Sequence, residues 1–163
     1  MKRWLRFTAA VLAAAFLFAL TGCGSSTNSA SFTWFVDSIP ANLDPQVASG
    51  ASDVIACENL YGTLVRKDPD GELVPGLCEK WTVSSDGLTY TFTLKDGLTY
   101  AAAKGAATEY DITAEDFVFA FRRIFHAETA SPYAVEFSAI QNSAAVLAGL
   151  ADESSLGVSA NGR

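Results

Sequence analysis

A chain of 163 residues, half of them apolar and 18% charged, suffices for one ordinary domain and excludes a disordered polyelectrolyte or a collagenous chain. Eleven Lys and Arg stand against 18 Asp and Glu, and the early Lys2, Arg3 and Arg6 leave the chain from Cys23 onward strongly acidic, which repels phosphate backbones and sets nucleic-acid binding aside. One histidine and three cysteines fall short of the soft ligands of a protein zinc site, so no metal or cofactor is expected.

The amino terminus reads as an address. Lys2, Arg3 and Arg6 precede an apolar run from Phe7 to Leu20. Fourteen helical residues rise about 21 Å, short of the hydrocarbon core, so residues 1–22 are expected to be a signal peptide rather than a membrane span. Leu20-Thr21-Gly22-Cys23 resembles a bacterial lipobox, which implies a lipidated Cys23; an ordinary secretory signal with an incidental cysteine is the other reading. Several acyl chains would anchor the protein durably to the extracytoplasmic face of a bacterial cell membrane. Residues 24–31 are small and polar, and form a flexible tether.

Folded sequence begins with an extended segment, Phe32–Val36, stopped by Pro40 and by Asp44-Pro45. Gln46–Gly50 is a loop, and Ser52-Asp53 caps a short helix from Val54 to Tyr61 with Ile55, Leu60 and Tyr61 inward. Leu64–Lys67 and Glu72–Pro75 flank Asp68-Pro69-Asp70-Gly71, a hairpin turn in which Gly71 supplies positive φ. A second hairpin joins Trp81–Val83 to Leu88–Leu94 through Ser84–Gly87. In its second strand Leu88, Tyr90, Phe92 and Leu94 alternate with Thr89, Thr91 and Thr93, predicting one core face and one wet face. Lys95-Asp96-Gly97 closes the strand, and 101–109 carries too much Ala and Gly to assign.

Thr113-Ala114-Glu115-Asp116 is a capping box opening a helix to about His126. Phe117, Phe121, Ile124 and Phe125 form its apolar stripe, expected against the sheet. A weaker helix is expected over Ala134–Leu150, and Leu156–Arg163 enters a further strand. The fold class is therefore α/β, with helices and strands mixed.

No constellation for catalysis emerges. Glu115 and Asp116 are neighbours pointing about 100° apart on a helix and serve the cap. His126 suits a helix end and lacks a serine or cysteine partner. Arg122 and Arg123 could grip a carboxylate, but are expected on a solvated face. No phosphate loop, nucleophile elbow or paired CxxC occurs. Cys57 and Cys78 are either a disulfide pair or two small buried residues.

Seven segments, in order, carry a resemblance: Leu20–Cys23, Leu43-Asp44-Pro45, Asn59–Val65, Asp70–Leu77, Trp81–Phe92, Ile112–Phe119 and Thr129–Ala134. Together they resemble the extracellular solute-binding proteins of family 5, the oligopeptide and dipeptide receptors of ABC importers. The resemblance implies a periplasmic-binding-protein-like clamshell of two lobes with an extra subdomain. Residues 32–163 would supply the first strand of lobe one and most of that subdomain, as an incomplete, amino-terminal part of a longer protein. It also implies a peptide ligand, permease subunits as partners, and no catalysis. Carried over by motif, the loop residues Ser49, Gly50 and Ala51 and the aromatic Tyr133 would touch the peptide backbone, with Ser49 where an acidic residue can hold a peptide amino terminus. Some relatives take nickel chelates or other solutes. The competing function from another class is a structural or adhesive surface lipoprotein without small-ligand binding.

Overall fold

In a computed structural model of the chain, residues 33, 35, 37–102 and 110–162 are described. The signal segment, the tether with Cys23, most of the expected strand Phe32–Val36 and most of the stretch 101–109 lie outside them. The chain divides after Phe35, and the architecture below is that of the unit from Val36 onward.

Helix α1, Ala51–Leu60, starts three residues earlier than expected, with Gly50 in extended conformation before it. Ser52 and Asp53 are buried in its first turn rather than standing outside as caps. Their side chains bind the preceding segment: Ser52 Oγ accepts from the Ser38 N–H at 3.3 Å, and Asp53 Oδ1 from the Ala41 N–H at 2.7 Å. Leu60 and Tyr61, expected inward, are exposed. The buried face holds Ser52, Asp53 and Cys57 instead, and the Tyr61 hydroxyl donates to the Leu43 carbonyl at 2.9 Å.

The first hairpin forms as expected from β1, Val65–Lys67, and β2, Leu73–Pro75, with Arg66 opposite Val74. Its turn closes through the Gly71 N–H on the Asp68 carbonyl at 3.0 Å, and Gly71 has φ +87°. Asp68 Oδ1 accepts from the N–H groups of Asp70 and Glu72. Beyond β2 the chain crosses tightly under Thr63 and Leu64, whose carbonyls accept from Gly76, Leu77 and Cys78.

The second hairpin pairs β3, Cys78–Val83, with β4, Tyr90–Leu94, antiparallel, with an irregularity between Cys78 and Lys80. Val83 lies opposite Tyr90 and Trp81 opposite Phe92, while Thr82 faces Thr91. The alternation is present, but the expected core face is open: Leu88 is 83% and Tyr90 59% exposed. The reason is architectural. The described strands make two separate two-stranded sheets, and the buried cluster of Ile124, Phe125, Ala134, Val146 and Leu156 includes no residue of either.

Segments 98–100 and 110–112 bridge antiparallel, with Tyr100 N–H on Tyr110 O at 2.8 Å and Ile112 N–H on Leu98 O at 2.9 Å. They lead into α2, Ala114–Phe125, opened by the expected capping box, in which Asp116 Oδ2 accepts from the Thr113 N–H at 2.7 Å and its hydroxyl at 3.0 Å. The apolar stripe of α2 packs on the last part of the chain and not on a sheet. Ile124 and Phe125 are buried with Ala134, Val146 and Leu156, and Tyr133, Phe137 and Ile140 close around them. Phe121 meets Phe137 edge-on, with centroids 5.9 Å apart.

The single helix expected over Ala134–Leu150 is broken into a 3-10 turn, Ala134–Phe137, and a short α3, Ser143–Leu147. Asn142 between them sits at φ +66°, which interrupts right-handed helix. A further 3-10 turn spans Glu153–Ser155. Residues 156–162 form no strand; the Gly157 N–H on the Gln141 carbonyl at 3.0 Å ties them down. Cys57 and Cys78 are both buried as free thiols.

Candidate functional site

The loop that follows Leu43 is folded by its own aspartate. The Asp44 carbonyl accepts from the N–H groups of Val47 and Ala48 at 3.1 and 2.8 Å, and Asp44 Oδ1 accepts from the Gln46 N–H at 3.0 Å. These local bonds make a compact turn out of a Pro-containing segment that cannot continue a strand or helix.

Long-range contacts then fasten this turn to α2. Arg123 Nη2 binds Asp44 Oδ2 at 2.5 Å and Nη1 binds Asp44 Oδ1 at 3.1 Å, a two-pronged grip, while Nη1 also donates to Gln46 Oε1 at 2.7 Å. Gln46 Nε2 in turn donates to the Ala120 carbonyl at 2.7 Å. The hydrogen bond from Arg123 is the main cause holding the Asp44 carboxyl below its usual range, and Asp44 raises the Arg123 guanidinium correspondingly. Arg123 was expected on a solvated face; it is a carboxylate clamp. Its neighbour Arg122 keeps a buried Nε without a hydrogen bond.

A second set of contacts comes from the Ser-Pro-Tyr segment after α2. Ser131 Oγ donates to the Gln46 carbonyl at 2.6 Å and accepts from the Tyr133 N–H at 3.2 Å. The Tyr133 hydroxyl donates to the Ala48 carbonyl. Ala48 is 2% exposed, whereas Ser49, Gly50 and Ala51 directly after it are exposed. The structure thus brings the four expected ligand-contact residues into one neighbourhood, as an open ledge of main chain with a tyrosine beneath its entry. Gly50 is crowded from below, since a Cβ there would lie 3.2 Å from Asp53 Oδ2.

The other expected residues do not join it. Asp116 is occupied by the cap of α2, and His126 Nε2 lies 3.6 Å from Glu153 Oε1. Among the described residues no group of three or more His, Cys, Asp or Glu side chains could hold a metal ion. Cys23 lies outside the described residues. Sequence reasoning missed Gln46, Ser131 and the role of Arg123. The only local signal was the carboxylate-grip alternative for the paired arginines.

Comparison with known proteins gives the arrangement its context. The pattern of the bacterial extracellular solute-binding proteins, family 5 Middle, matches residues 72–162. The periplasmic murein peptide-binding protein MppA of Escherichia coli K12 is 35% identical over 123 residues, which cover 74% of this chain and 22% of that protein. A probable deoxycholate-binding periplasmic protein of the same organism, YgiS, is 36% identical with the same coverage. Among solved structures, Haemophilus influenzae OppA in complex with the peptide RPPGFSPFR superposes with a TM-score of 0.63 at 32% identity, over 75% of this chain and 23% of that one. The chain therefore spans about a fifth of the length of the proteins it matches, and its mixed helices and strands are part of their two-lobed binding-protein fold.

Proposed function

Because this chain belongs to the bacterial extracellular solute-binding proteins of family 5, we propose that it supplies one wall of the ligand site in a protein that captures peptides outside the cytoplasm and delivers them to an ABC-type importer. The observation that carries this reading is the exposed ledge Ser49-Gly50-Ala51, seated by Tyr133 through Ala48. Exposed main chain with a glycine lets a peptide backbone approach and pair as at a strand edge, and a tyrosine adds area and a hydroxyl. The relatives are solute-binding proteins rather than enzymes.

On this reading residues 32–163 contribute the first strand of one lobe and most of an added subdomain, and Cys23 carries the lipid that holds the protein at the membrane. Peptide capture is favoured because MppA and OppA are both named for peptides. The bile-acid reading is the second one, favoured by the equal similarity to YgiS.

The test is competition against a labelled mixed-peptide pool, on this chain and on a chimera completed with the remaining sequence of the E. coli murein peptide-binding relative. Displacement by peptides and not by deoxycholate or a nickel chelate is expected. Displacement by deoxycholate alone would transfer the protein to the second reading. A folded chimera with no saturable ligand would leave a structural surface protein.

A further inference from the structure

We propose that Arg123 is a positioning residue for the ligand ledge: by gripping Asp44 and Gln46 it sets the 44–48 turn, and so the place and order of Ser49-Gly50-Ala51. The inference rests on the proposed function, since only there does the ledge meet a ligand.

The geometry is that of a latch rather than of a surface ion pair. A lone exposed pair contributes little, because water competes and two long side chains must be frozen. Here one guanidinium satisfies both carboxylate oxygens and an amide oxygen at once, and the fork geometry needs no further ordering once α2 is formed. The amide it holds is anchored at its other end to Ala120 of the same helix. Every contact ends on the turn immediately before the ledge. None of them reaches the buried cluster around Ile124 and Phe125. Loss of the grip should therefore free the turn without melting the core, because low-stability segments open independently of the packed ones.

The charged and titratable groups around the turn are few. Arg123 faces Asp44 from α2, Asp53 of α1 accepts from the Ala41 N–H and lies under Gly50, Tyr61 reaches the Leu43 carbonyl from the end of α1, and Tyr133 reaches the Ala48 carbonyl. Of the two carboxylates, Asp44 is the one that Arg123 grips and whose residue bonds to the amides of Val47 and Ala48, so Asp44→Asn separates its part from that of Asp53.

Amide hydrogen exchange on the full chain tests the proposal, read at Val47 and Ala48, whose N–H groups bond to the Asp44 carbonyl, and at Ile124 in the core. Arg123→Ala should lower protection at 47 and 48 by about tenfold or more and leave Ile124 unchanged. Arg123→Lys should recover part of it, and the swap Asp44→Arg with Arg123→Asp should recover more than either single change. In the parent chain, protection at 47 and 48 relative to Ile124 should fall in acid, and in Asp44→Asn that acid dependence should vanish. Parallel loss at all three amides, or no loss at all, overturns the proposal. If Arg123→Ala does not fold, the lysine variant and the swap decide on the same readout. Peptide binding by the chimera is scored separately: a latch that behaves as stated in a protein that ignores peptides refutes the proposed ligand and not the positioning role.

Discussion

The hydroxyl of Tyr133 donates to the carbonyl of Ala48, 85 residues earlier in the chain, while its ring packs at the edge of the cluster formed by Ile124, Phe125 and Ala134. One side chain thus couples the core to the ledge. The two functions separate by substitution. Tyr133→Phe keeps the ring and leaves the buried Ala48 carbonyl without this donor, so urea unfolding should show a loss of about 1 kcal/mol. Tyr133→Ala also removes the packing and should cost about 3 kcal/mol or more. Equal losses in the two variants would mean that the ring contributes nothing.

Two glycines on either side of β2, Gly71 and Gly76, look alike in sequence and differ in space. A Cβ on Gly76 would lie 2.2 Å from the Thr63 carbonyl oxygen, a backbone atom with no freedom to withdraw, whereas nothing lies within 4 Å of a Cβ on Gly71 at φ +87°. Gly71→Ala should cost about 1–2 kcal/mol for left-handed backbone alone. Gly76→Ala must move a strand and should cost clearly more, with loss of the β1–β2 pairing in amide exchange. A Gly76→Ala protein as stable as the parent would show that the crossing under Thr63 relaxes freely.

These contrasts mark where the sequence was readable. Both turns and the Thr113 cap were, because their bonds join residues within a few positions: Asp68 to Gly71, Ser84 to Gly87, Thr113 to Asp116. Ser52 and Asp53 misled, since residues suited to a cap spend their side chains on Ser38 and Ala41. The helix expected over Ala134–Leu150 failed at Asn142, which takes a left-handed conformation while its side chain donates to the Ser155 carbonyl at 2.7 Å. Arg123 was unreadable for the same reason: its partner Asp44 lies 79 positions away. The 49–51 loop and Tyr133 were picked out through family motifs; the contacts that hold them together were not legible.

Cys57 is 7% exposed and Cys78 fully buried, and neither is bridged. A thiol reagent applied to a Cys23→Ser protein should therefore find no fast-reacting group in the native state and two after unfolding in denaturant without reductant. Absence of reaction in denaturant would establish a disulfide and contradict the structure. Replacing Cys78 by Ser should destabilise more than replacing Cys57, because the hydroxyl would enter the more completely closed site.

Tyr100 provides the alkaline counterpart to the acid behaviour of the Asp44 latch. Partial burial of a side chain that stays about half exposed, followed by the negative charge of Asp116 and a hydrogen bond to it, raises the Tyr100 phenol above the ordinary tyrosine value of about 10. The folded chain therefore holds this proton more tightly than the unfolded one. Its contribution to stability is fully present below the ordinary value and is lost as pH rises through the raised one. Absorbance titration at alkaline pH should show a late component that Tyr100→Phe deletes. Asp116→Asn should move it back toward the ordinary range, since the carboxylate that opposes the phenolate is gone, although the cap of α2 weakens with it. A Tyr100→Phe difference curve centred on the ordinary value would refute the burial and the charge together. One unchanged by Asp116→Asn would leave burial as the sole cause.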